Sequence, residues 1–181
     1  MRIITGTAKG RLLHAPKGRK ITRPALAKVR EAIFSSLGDV TGLVVMDVFA
    51  GTGSLGLEAL SRGAEREYFI DSHPQAIKSL VVNLKALGFS EKARIFDRKL
   101  PFGLKRVKIE EPLDVIFCDP PYDKDLLNPT LRQLLDQGFV SQHTVIIVEH
   151  SGRERPQIEG LLAIKEKQYG QTYITYLKKV S

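Results

Sequence analysis

Residues 43–63 read "LVVMDVFAGTGSLGLEALSRG", an apolar run followed by a glycine-rich loop and an amphipathic run. The apolar part, 43–49, is continuous and rich in β-branched residues, which is typical of a strand buried in a parallel sheet. The amphipathic part, 54–63, predicts a helix that ends at a glycine. The glycines between and within these parts form the pattern G-x-G-x-x-G: Gly51, Gly53 and Gly56. A strand, a glycine loop and a helix in this order predict a nucleoside-binding turn.

The alternation of strands and helices continues along the chain. Its apolar runs and turn residues predict strands at 67–71, 93–96, 113–119 and 144–150, and helices at 24–37, 74–88 and 126–138. The ending, 162–179, predicts a hairpin with a tight turn near Gly170, which places an antiparallel strand in an otherwise parallel sheet. The segment 99–112 has no periodicity, and we expect an irregular surface connection there.

These elements predict an α/β protein with a Rossmann-like fold. Its sheet has seven strands and is mostly parallel, with the antiparallel C-terminal hairpin strand at one side. Two short apolar runs around a glycine-rich turn, "RIITGTAKGRLLHAP", predict an additional small β-hairpin at the N-terminus. We therefore divide the chain into a basic hairpin extension, 1–22, and a Rossmann-like domain, 23–181.

The composition limits the class of protein. A chain of 181 residues with 43% hydrophobic and 27% charged residues is typical of one globular domain. No apolar run approaches the roughly 20 residues of a membrane span, and the N-terminus lacks a signal-peptide pattern. The single cysteine, Cys118, excludes an internal disulfide and a multi-cysteine metal site, and we interpret it as a buried strand residue. We expect a cytoplasmic monomer without a metal.

The positive charge of the chain is concentrated at its N-terminus. The formal net charge is +8, and residues 1–30 contain nine Lys and Arg residues but no acidic residue. Such a run is either a solvated tail or a surface that binds a polyanion. The candidate contacts to a polyanion are Arg2, Lys9, Arg11, Lys17, Arg19 and Lys20.

The acidic residues near the glycine loop indicate which nucleoside it binds. Asp47 precedes Gly51 by four residues, and a carboxylate at the mouth of the loop would repel a pyrophosphate but suit a cationic ligand. S-adenosylmethionine carries a sulfonium and an ammonium and has no phosphate. Asp71 could accept both ribose hydroxyls, although it or Ser72 could also cap the following helix. Asp97, after the third strand, is a candidate acceptor for the adenine amino group or an ordinary turn residue.

The most specific motif follows the fourth strand, in "DVIFCDPPYD" at 114–123. The tetrad Asp119–Tyr122 lies where parallel strands present their ligands. One reaction that this tetrad suits is methyl transfer to an exocyclic amine of a nucleic-acid base. Such an amine is a poor nucleophile because its lone pair is delocalised into the ring. The Asp119 carboxylate and the Pro120 carbonyl could accept its N–H groups and localise that pair. The rings of Pro120 and Pro121 would hold the backbone in place, and the Tyr122 ring could stack on the target base.

The order and spacing of these motifs resemble those of a known family across nearly the whole chain. The matching pieces are "MRIITGTAKGRLLHAP", "TRPALAKVREAIFSSLG", "DVFAGTGSLGLEALSRGA", "DPPY" and "YGQTYITYLKK". The chain resembles the bacterial small-subunit (16S) ribosomal RNA methyltransferases that modify the 2-amino group of a guanine. The resemblance implies a Rossmann-like methyltransferase fold, S-adenosylmethionine as the methyl donor, and 16S ribosomal RNA or a small-subunit assembly intermediate as the partner.

The resemblance also implies roles for individual residues. Catalysis would fall to Asp119, Pro120, Pro121 and Tyr122, and RNA contact to the basic hairpin. The segment 22–24 and Arg30 would border the methionine end of the cofactor. The expected cofactor-binding residues are Arg23, Asp47, Phe49, Gly51, Gly53, Asp71, Ser72, Asp97 and Arg98.

Three other functions are compatible with parts of the sequence. A DNA adenine or cytosine amino-methyltransferase could use the same tetrad, but such enzymes usually carry a separate target-recognition region for which this chain leaves no room. A nicotinamide-dependent oxidoreductase would share the glycine pattern, but Asp47 argues against it. An RNA-binding module without activity would not need the tetrad.

Overall fold

The secondary structure follows the predicted alternation. The structure is a computed structural model that describes residues 1–15, 24–122 and 124–180. The described helices are α1 (Pro24–Leu37), α2 (Ser54–Ser61), α3 (Pro74–Leu87) and α4 (Leu127–Asp136). The described strands are β1 (Val44–Val48), β2 (Arg66–Asp71), β3 (Ala93–Asp97), β4 (Val115–Cys118), β5 (Val145–His150), β6 (Leu161–Tyr169) and β7 (Thr172–Lys179). Two 3₁₀ turns, Ser90–Lys92 and Phe102–Arg106, lie between them.

The strands form one seven-stranded sheet in the order β3-β2-β1-β4-β5-β7-β6. The strands β1 to β5 are mutually parallel, whereas β7 is antiparallel to both of its neighbours, β5 and β6. The predicted mixed sheet with an antiparallel C-terminal hairpin is therefore confirmed. The chain order reverses between β1 and β4, and ligands of open α/β sheets bind at the carboxyl ends of the strands at such a point.

Two apolar layers cover the two faces of the sheet. Along β1, Val45 faces one layer, while Met46 and Val48 face the other. Side chains of α1, α2 and α3 fill the first layer, where Phe34 meets Phe117 edge to face with 5.8 Å between ring centroids. Side chains of α4 and of the turn Phe102–Arg106 fill the second layer. Because both faces are covered, the central strands read as continuous apolar runs.

The N-terminal segment forms a small antiparallel hairpin, in which the Ile3 N–H donates to the Arg11 carbonyl at 3.1 Å and the Gly10 N–H to the Ile3 carbonyl at 2.9 Å. Arg2 and Leu12 form one antiparallel bridge, flanked by a hydrogen bond from the Leu13 N–H to the Met1 carbonyl at 2.8 Å. The backbone N–H groups of Ile4 and Thr5 donate to the Glu58 carboxylate of α2, at 2.8 and 3.0 Å. The hairpin therefore also docks onto α2. The predicted boundary at residues 22 and 23 lies outside the described residues, so the division into two units stays a prediction.

The expectation for residues 99–112 needs correction. This segment contains the 3₁₀ turn, and its apolar residues Leu100, Leu104 and Val107 are buried against the second layer. Its polar residues do lie at the surface, and the Phe102 side chain there is 69% exposed. The segment is thus anchored to the core on one side. None of the described helices combines the length and apolarity that a bilayer crossing requires.

Candidate active site

The three positions of the glycine pattern are occupied by glycine for different structural reasons. Gly51 has a φ of 56°, and a Cβ there would meet nothing closer than the Phe49 carbonyl oxygen at 3.9 Å. A Cβ on Gly53, whose φ is 81°, would lie 2.4 Å from Leu80 Cδ1. A Cβ on Gly56 would lie 2.4 Å from a ring carbon of Phe69. Gly51 therefore borders open space, whereas Gly53 and Gly56 permit close packing of α2 against α3 and the sheet.

Asp71 connects the end of β2 to the glycine loop. Its Oδ2 accepts the Gly51 N–H at 2.8 Å, and its Oδ1 accepts the His73 N–H at 2.7 Å. These two bonds fix the carboxylate. The bond to His73 lies at the start of α3, where the sequence left open that Asp71 caps the helix. A carboxylate offers about four acceptor positions, so two remain for a ligand.

One cavity of about 760 Å³ lies at the carboxyl edge of β1, β2 and β4. This volume is within the range of small-molecule and cofactor sites, roughly 300–1,000 Å³. The predicted site residues that line it are Phe49, Gly51, Asp71, Ser72, Arg98, Asp119, Pro120, Pro121 and Tyr122. The cavity thus brings the glycine loop and the tetrad together, as the sequence predicted.

Three predicted cofactor residues do not line the cavity. Gly53 is turned into the packing against α3, and Asp97, at the end of β3 beside Asp71, does not contribute to the wall. Asp47 is buried behind the loop, where its Oδ2 accepts the Gly56 N–H at 3.3 Å. Its expected place at the mouth of the loop was therefore wrong. Arg23 lies outside the described residues.

Burial changes the charge state of Asp47. Removal from water raises its pKa to about 7, and the charge of Asp71 contributes in the same direction. Glu67 lies nearby on β2, and burial together with the Asp47 charge raises its pKa well above the usual range. Neither carboxyl oxygen of Glu67 has a hydrogen-bond partner among the described residues. Asp47 therefore carries less negative charge at neutral pH than a surface aspartate would, which weakens the electrostatic case against a pyrophosphate.

The tetrad stands beside a second acidic residue, Glu149. Cys118 of β4 is in register with Val148 of β5, so Asp119 and Glu149 follow on neighbouring parallel strands. Both residues line the cavity. The Tyr122 hydroxyl donates to Glu149 Oε1 at 2.9 Å and lies 3.5 Å from the Thr172 hydroxyl. Tyr122 is 42% exposed and lines the cavity, which is compatible with stacking of a base on its ring.

The pKa values of this acidic group are shifted upward. Asp119 is exposed toward the cavity, and protein surrounds its carboxyl group in part. This surrounding raises its pKa well above the usual range, and the charges of Glu149 and Asp47 add to the effect. Burial likewise raises the pKa of Glu149 and of the Tyr122 hydroxyl. Tyr122 is therefore a neutral donor, and the two carboxyls are poised to gain from a ligand that offers N–H groups.

Sequence reasoning missed Glu149. Its signal was an acidic residue near the carboxyl end of the apolar run 144–150. The meaning of that signal depends on the pairing of β5 with β4, which the sequence alone does not specify.

Comparison with known proteins identifies the family. A family model described as "Conserved hypothetical protein 95" matches residues 1–178. The chain belongs to this family. It is 37% identical to the candidate rRNA methyltransferase YlbH of Bacillus subtilis (strain 168) over 186 residues, covering 99% of both chains. It is 33% identical to Ribosomal RNA small subunit methyltransferase D of Escherichia coli (strain K12) over 150 residues, 82% of this chain and 74% of that protein.

A solved structure agrees with these relatives. The candidate methyltransferase yhhF of Escherichia coli superposes with a TM-score of 0.85 at 31% identity, covering 99% of this chain and 97% of that one. These matches confirm the resemblance and the expected class, a methyltransferase with a Rossmann-like fold.

Within this family member, Arg30 connects the cavity to the N-terminal segment. Arg30 is buried and borders the cavity, and its place at the methionine end of the cofactor stays a prediction. Its Nη2 donates to the Arg2 carbonyl at 2.6 Å, and its Nε lies 3.6 Å from Glu58 Oε2. Because Glu58 also binds the backbone of Ile4 and Thr5, the start of the chain is held beside the site.

The predicted polyanion contacts are described in part. Arg2, Lys9 and Arg11 are exposed, and the guanidinium groups of the two arginines donate to the carbonyls of Gly10 and Ala86. Lys17, Arg19 and Lys20 lie outside the described residues. Cys118 is buried in β4, and no cluster of His, Cys, Asp and Glu suited to a metal occurs in the part of the chain that the structure describes.

Proposed function

We propose that the protein transfers a methyl group from S-adenosylmethionine to the exocyclic 2-amino group of a guanine in 16S ribosomal RNA. The observation that carries this proposal is the shared cavity: Gly51 and Asp71 line one part of it, and Asp119 and Tyr122 line another. A nucleoside cofactor and a base amine could therefore meet inside it. Methyltransferase membership is established by the family, and the substrate is inferred from relatives named for small-subunit ribosomal RNA.

The residues present fit S-adenosylmethionine. When bound, this cofactor supplies an electrophilic methyl group on a sulfonium. The open space at Gly51 permits close approach of a ligand to the backbone, and the two unused acceptor positions of Asp71 suit the ribose hydroxyls. Phe49, Ser72 and Arg98 would complete the cofactor wall. Asp97 as the partner of the adenine amino group, and Arg23 at the methionine end, stay predictions.

The tetrad would prepare the amine. The Asp119 carboxylate and the Pro120 carbonyl accept its two N–H groups, which localises the nitrogen lone pair toward the methyl group. The Tyr122 ring stacks on the base and restricts its position. The N–CH₃ bond would form as the S–CH₃ bond of the sulfonium breaks, with the neutral thioether as the leaving group, and Asp119 could accept the proton that the methylated amine loses. Alignment of the reacting atoms supplies much of the rate in such a displacement, so no strong base or metal is needed.

The basic N-terminal segment would hold the RNA. Arg2, Lys9 and Arg11 are exposed, and the segment that carries them is attached through Glu58 to the Arg30 side of the cavity. Lys17, Arg19 and Lys20 belong to the same proposed surface. We infer that free 16S ribosomal RNA or a small-subunit assembly intermediate binds here, and that the protein acts as a monomer in the cytoplasm, where that partner is made.

The test is methyl transfer from labelled S-adenosylmethionine to small ribosomal subunits and 16S RNA that lack the modification. We expect label in RNA, and digestion to nucleosides should yield N2-methylguanosine. A matched DNA substrate is the comparison. Methylated adenosine, or methylation of DNA alone, would overturn the proposal in favour of an amino-methyltransferase of another substrate. Binding of NAD with an affinity equal to that of S-adenosylmethionine would restore the oxidoreductase interpretation.

A further inference from the structure

The acidic pair in the cavity contains one residue for which the proposed chemistry has no use. Asp119 and Glu149 follow the paired residues Cys118 and Val148, and both line the cavity. The amine needs only Asp119 and the Pro120 carbonyl. Glu149 is nevertheless held in place, because its Oε1 accepts the Tyr122 hydroxyl at 2.9 Å. That bond leaves further acceptor positions on the carboxylate for a ligand.

When both are ionised, as they would be with N–H donors facing them, these two neighbouring carboxylates offer acceptors only. They repel each other, and a ligand with two adjacent donors would relieve this repulsion. The Watson–Crick edge of guanine presents such a pair, because the N1–H lies next to the 2-amino group. In adenine and cytosine the amino group lies next to a ring nitrogen that is an acceptor. A buried carboxylate facing that lone pair would lose water without gaining a partner.

From this juxtaposition we propose that Glu149 accepts the N1–H of the target guanine while Asp119 accepts its 2-amino group. Glu149 is then a specificity-determining residue, which admits guanine and rejects bases with an acceptor beside the amine. This inference rests on the proposed function. The Tyr122 hydroxyl orients the Glu149 carboxylate, so the residue that stacks on the base and the residue that reads its edge are fixed relative to each other.

The alternative is that Glu149 only supports Tyr122. The substitution Glu149→Gln separates the two roles, because the carboxamide oxygen can still accept the Tyr122 hydroxyl. Its N–H₂ group, in contrast, can donate to a ring nitrogen. If Glu149 only supports Tyr122, the substitution should lower kcat/KM by the same factor for every base. If Glu149 contacts the Watson–Crick edge, the substitution should change the ratio of kcat/KM between bases.

The experiment uses 16S RNA assembled by ligation, with either guanine or 2-aminopurine at the methylated position. 2-Aminopurine retains the 2-amino group but has an acceptor at N1. For the wild-type protein we expect kcat/KM to be at least about tenfold higher on guanine, the effect of one mispaired buried hydrogen bond. The Gln variant should reduce this ratio by about tenfold. The Glu149→Asp variant, with its carboxylate drawn back, should lose activity on guanine without gaining it on 2-aminopurine.

The outcomes distinguish a failure of the inference about Glu149 from a failure of the proposed function. If the wild-type protein methylates guanine and both variants change the two substrates equally, Glu149 does not read the base and the inference fails alone. If the wild-type protein does not methylate the guanine RNA, the proposed function fails and the inference with it. Thermal unfolding and S-adenosylmethionine binding are measured for each variant in parallel. If one variant is misfolded, the other variant alone tests whether Glu149 contacts the base.

Discussion

Asp71 accepts the backbone N–H of Gly51 at 2.8 Å, so the end of β2 fixes the position of the glycine loop twenty residues earlier in the chain. The same carboxylate accepts the His73 N–H at 2.7 Å, which ties it to the start of α3. One side chain thus joins three elements that border the cavity. It combines a structural role with the proposed role toward the ribose.

Substitution Asp71→Ala should weaken S-adenosylmethionine binding. Two hydrogen bonds to a charged acceptor would be lost, each worth about 1.5–3 kcal/mol, and the loop would lose its tie to β2. Titration calorimetry measures the change, with Asp136→Ala as the matched control because Asp136 lies on the exposed end of α4, outside the cavity wall. Unchanged affinity in a folded Asp71→Ala variant would remove Asp71 from the site.

Alanine at Gly51 and at Gly53 should have opposite principal effects. Gly53→Ala would push its Cβ against Leu80, so we expect the free energy of unfolding to fall by about 1–3 kcal/mol, as overpacking typically does. Gly51→Ala meets no such neighbour, so its stability loss should be limited to about 1–2 kcal/mol for the left-handed backbone, with a larger loss of cofactor affinity. Urea denaturation and calorimetry on both variants compare the two effects. Equal profiles would show that the cavity-facing position of Gly51 has no functional meaning.

Substitution of Asp119 should slow methyl transfer without weakening cofactor binding. Asp119→Ala removes an acceptor for the amine, so single-turnover methyl transfer should slow by about 10²-fold or more, within the range for a positioned catalytic group. Cofactor affinity should stay nearly constant, because the carboxylate faces the base. Asp136→Ala on the exposed end of α4 is the charge-matched control. Full activity of the Asp119 variant would exclude the proposed preparation of the amine.

The raised pKa of Asp47 should appear in the pH dependence of stability. Burial raises this pKa from 3.8 to about 7, so between these values the folded state holds a proton that the unfolded chain releases. The free energy of unfolding should therefore fall as pH rises from about 4 to 7, by up to about 1.4 kcal/mol per pH unit, and level off above. Asp47→Asn, whose carbonyl can still accept the Gly56 N–H, should flatten this slope. Urea denaturation at several pH values tests it, with exposed Asp136→Asn as control, and equal slopes would contradict the assignment.

The sequence predicted the elements better than their contacts. Apolar runs bounded by glycines specify the alternation of strands and helices, and the tetrad specifies the active edge of the sheet. The docking of the N-terminal hairpin was not predicted, because the backbone donors of Ile4 and Thr5 bind Glu58, more than fifty residues away. Glu149 was missed for a similar reason, since its role depends on the register of β5 against β4. Long-range pairing of this kind leaves no local pattern.

The N-terminal basic residues provide the last prediction. If they bind RNA phosphates, counterions are released, and affinity should fall by roughly 0.7 log units per log unit of salt for each phosphate neutralised on a single strand. Replacing Lys17, Arg19 and Lys20 with Ala should therefore flatten the salt dependence by up to about two log units per log unit and raise the dissociation constant at low salt. Arg11 is better retained in this variant, because its guanidinium also donates to the Ala86 carbonyl and holds the segment against α3.

The matched control replaces three exposed basic residues outside the cavity wall, Lys92, Arg132 and Lys179, and removes the same total charge. Filter binding of small-subunit RNA across a salt series measures both slopes, and calorimetry verifies that S-adenosylmethionine affinity is unchanged. If both triple variants shift binding equally, only net charge matters, and the N-terminal segment is a solvated tail. RNA recognition would then have to come from the anchored segment 99–112, in which Lys99 borders the cavity and Phe102 is exposed.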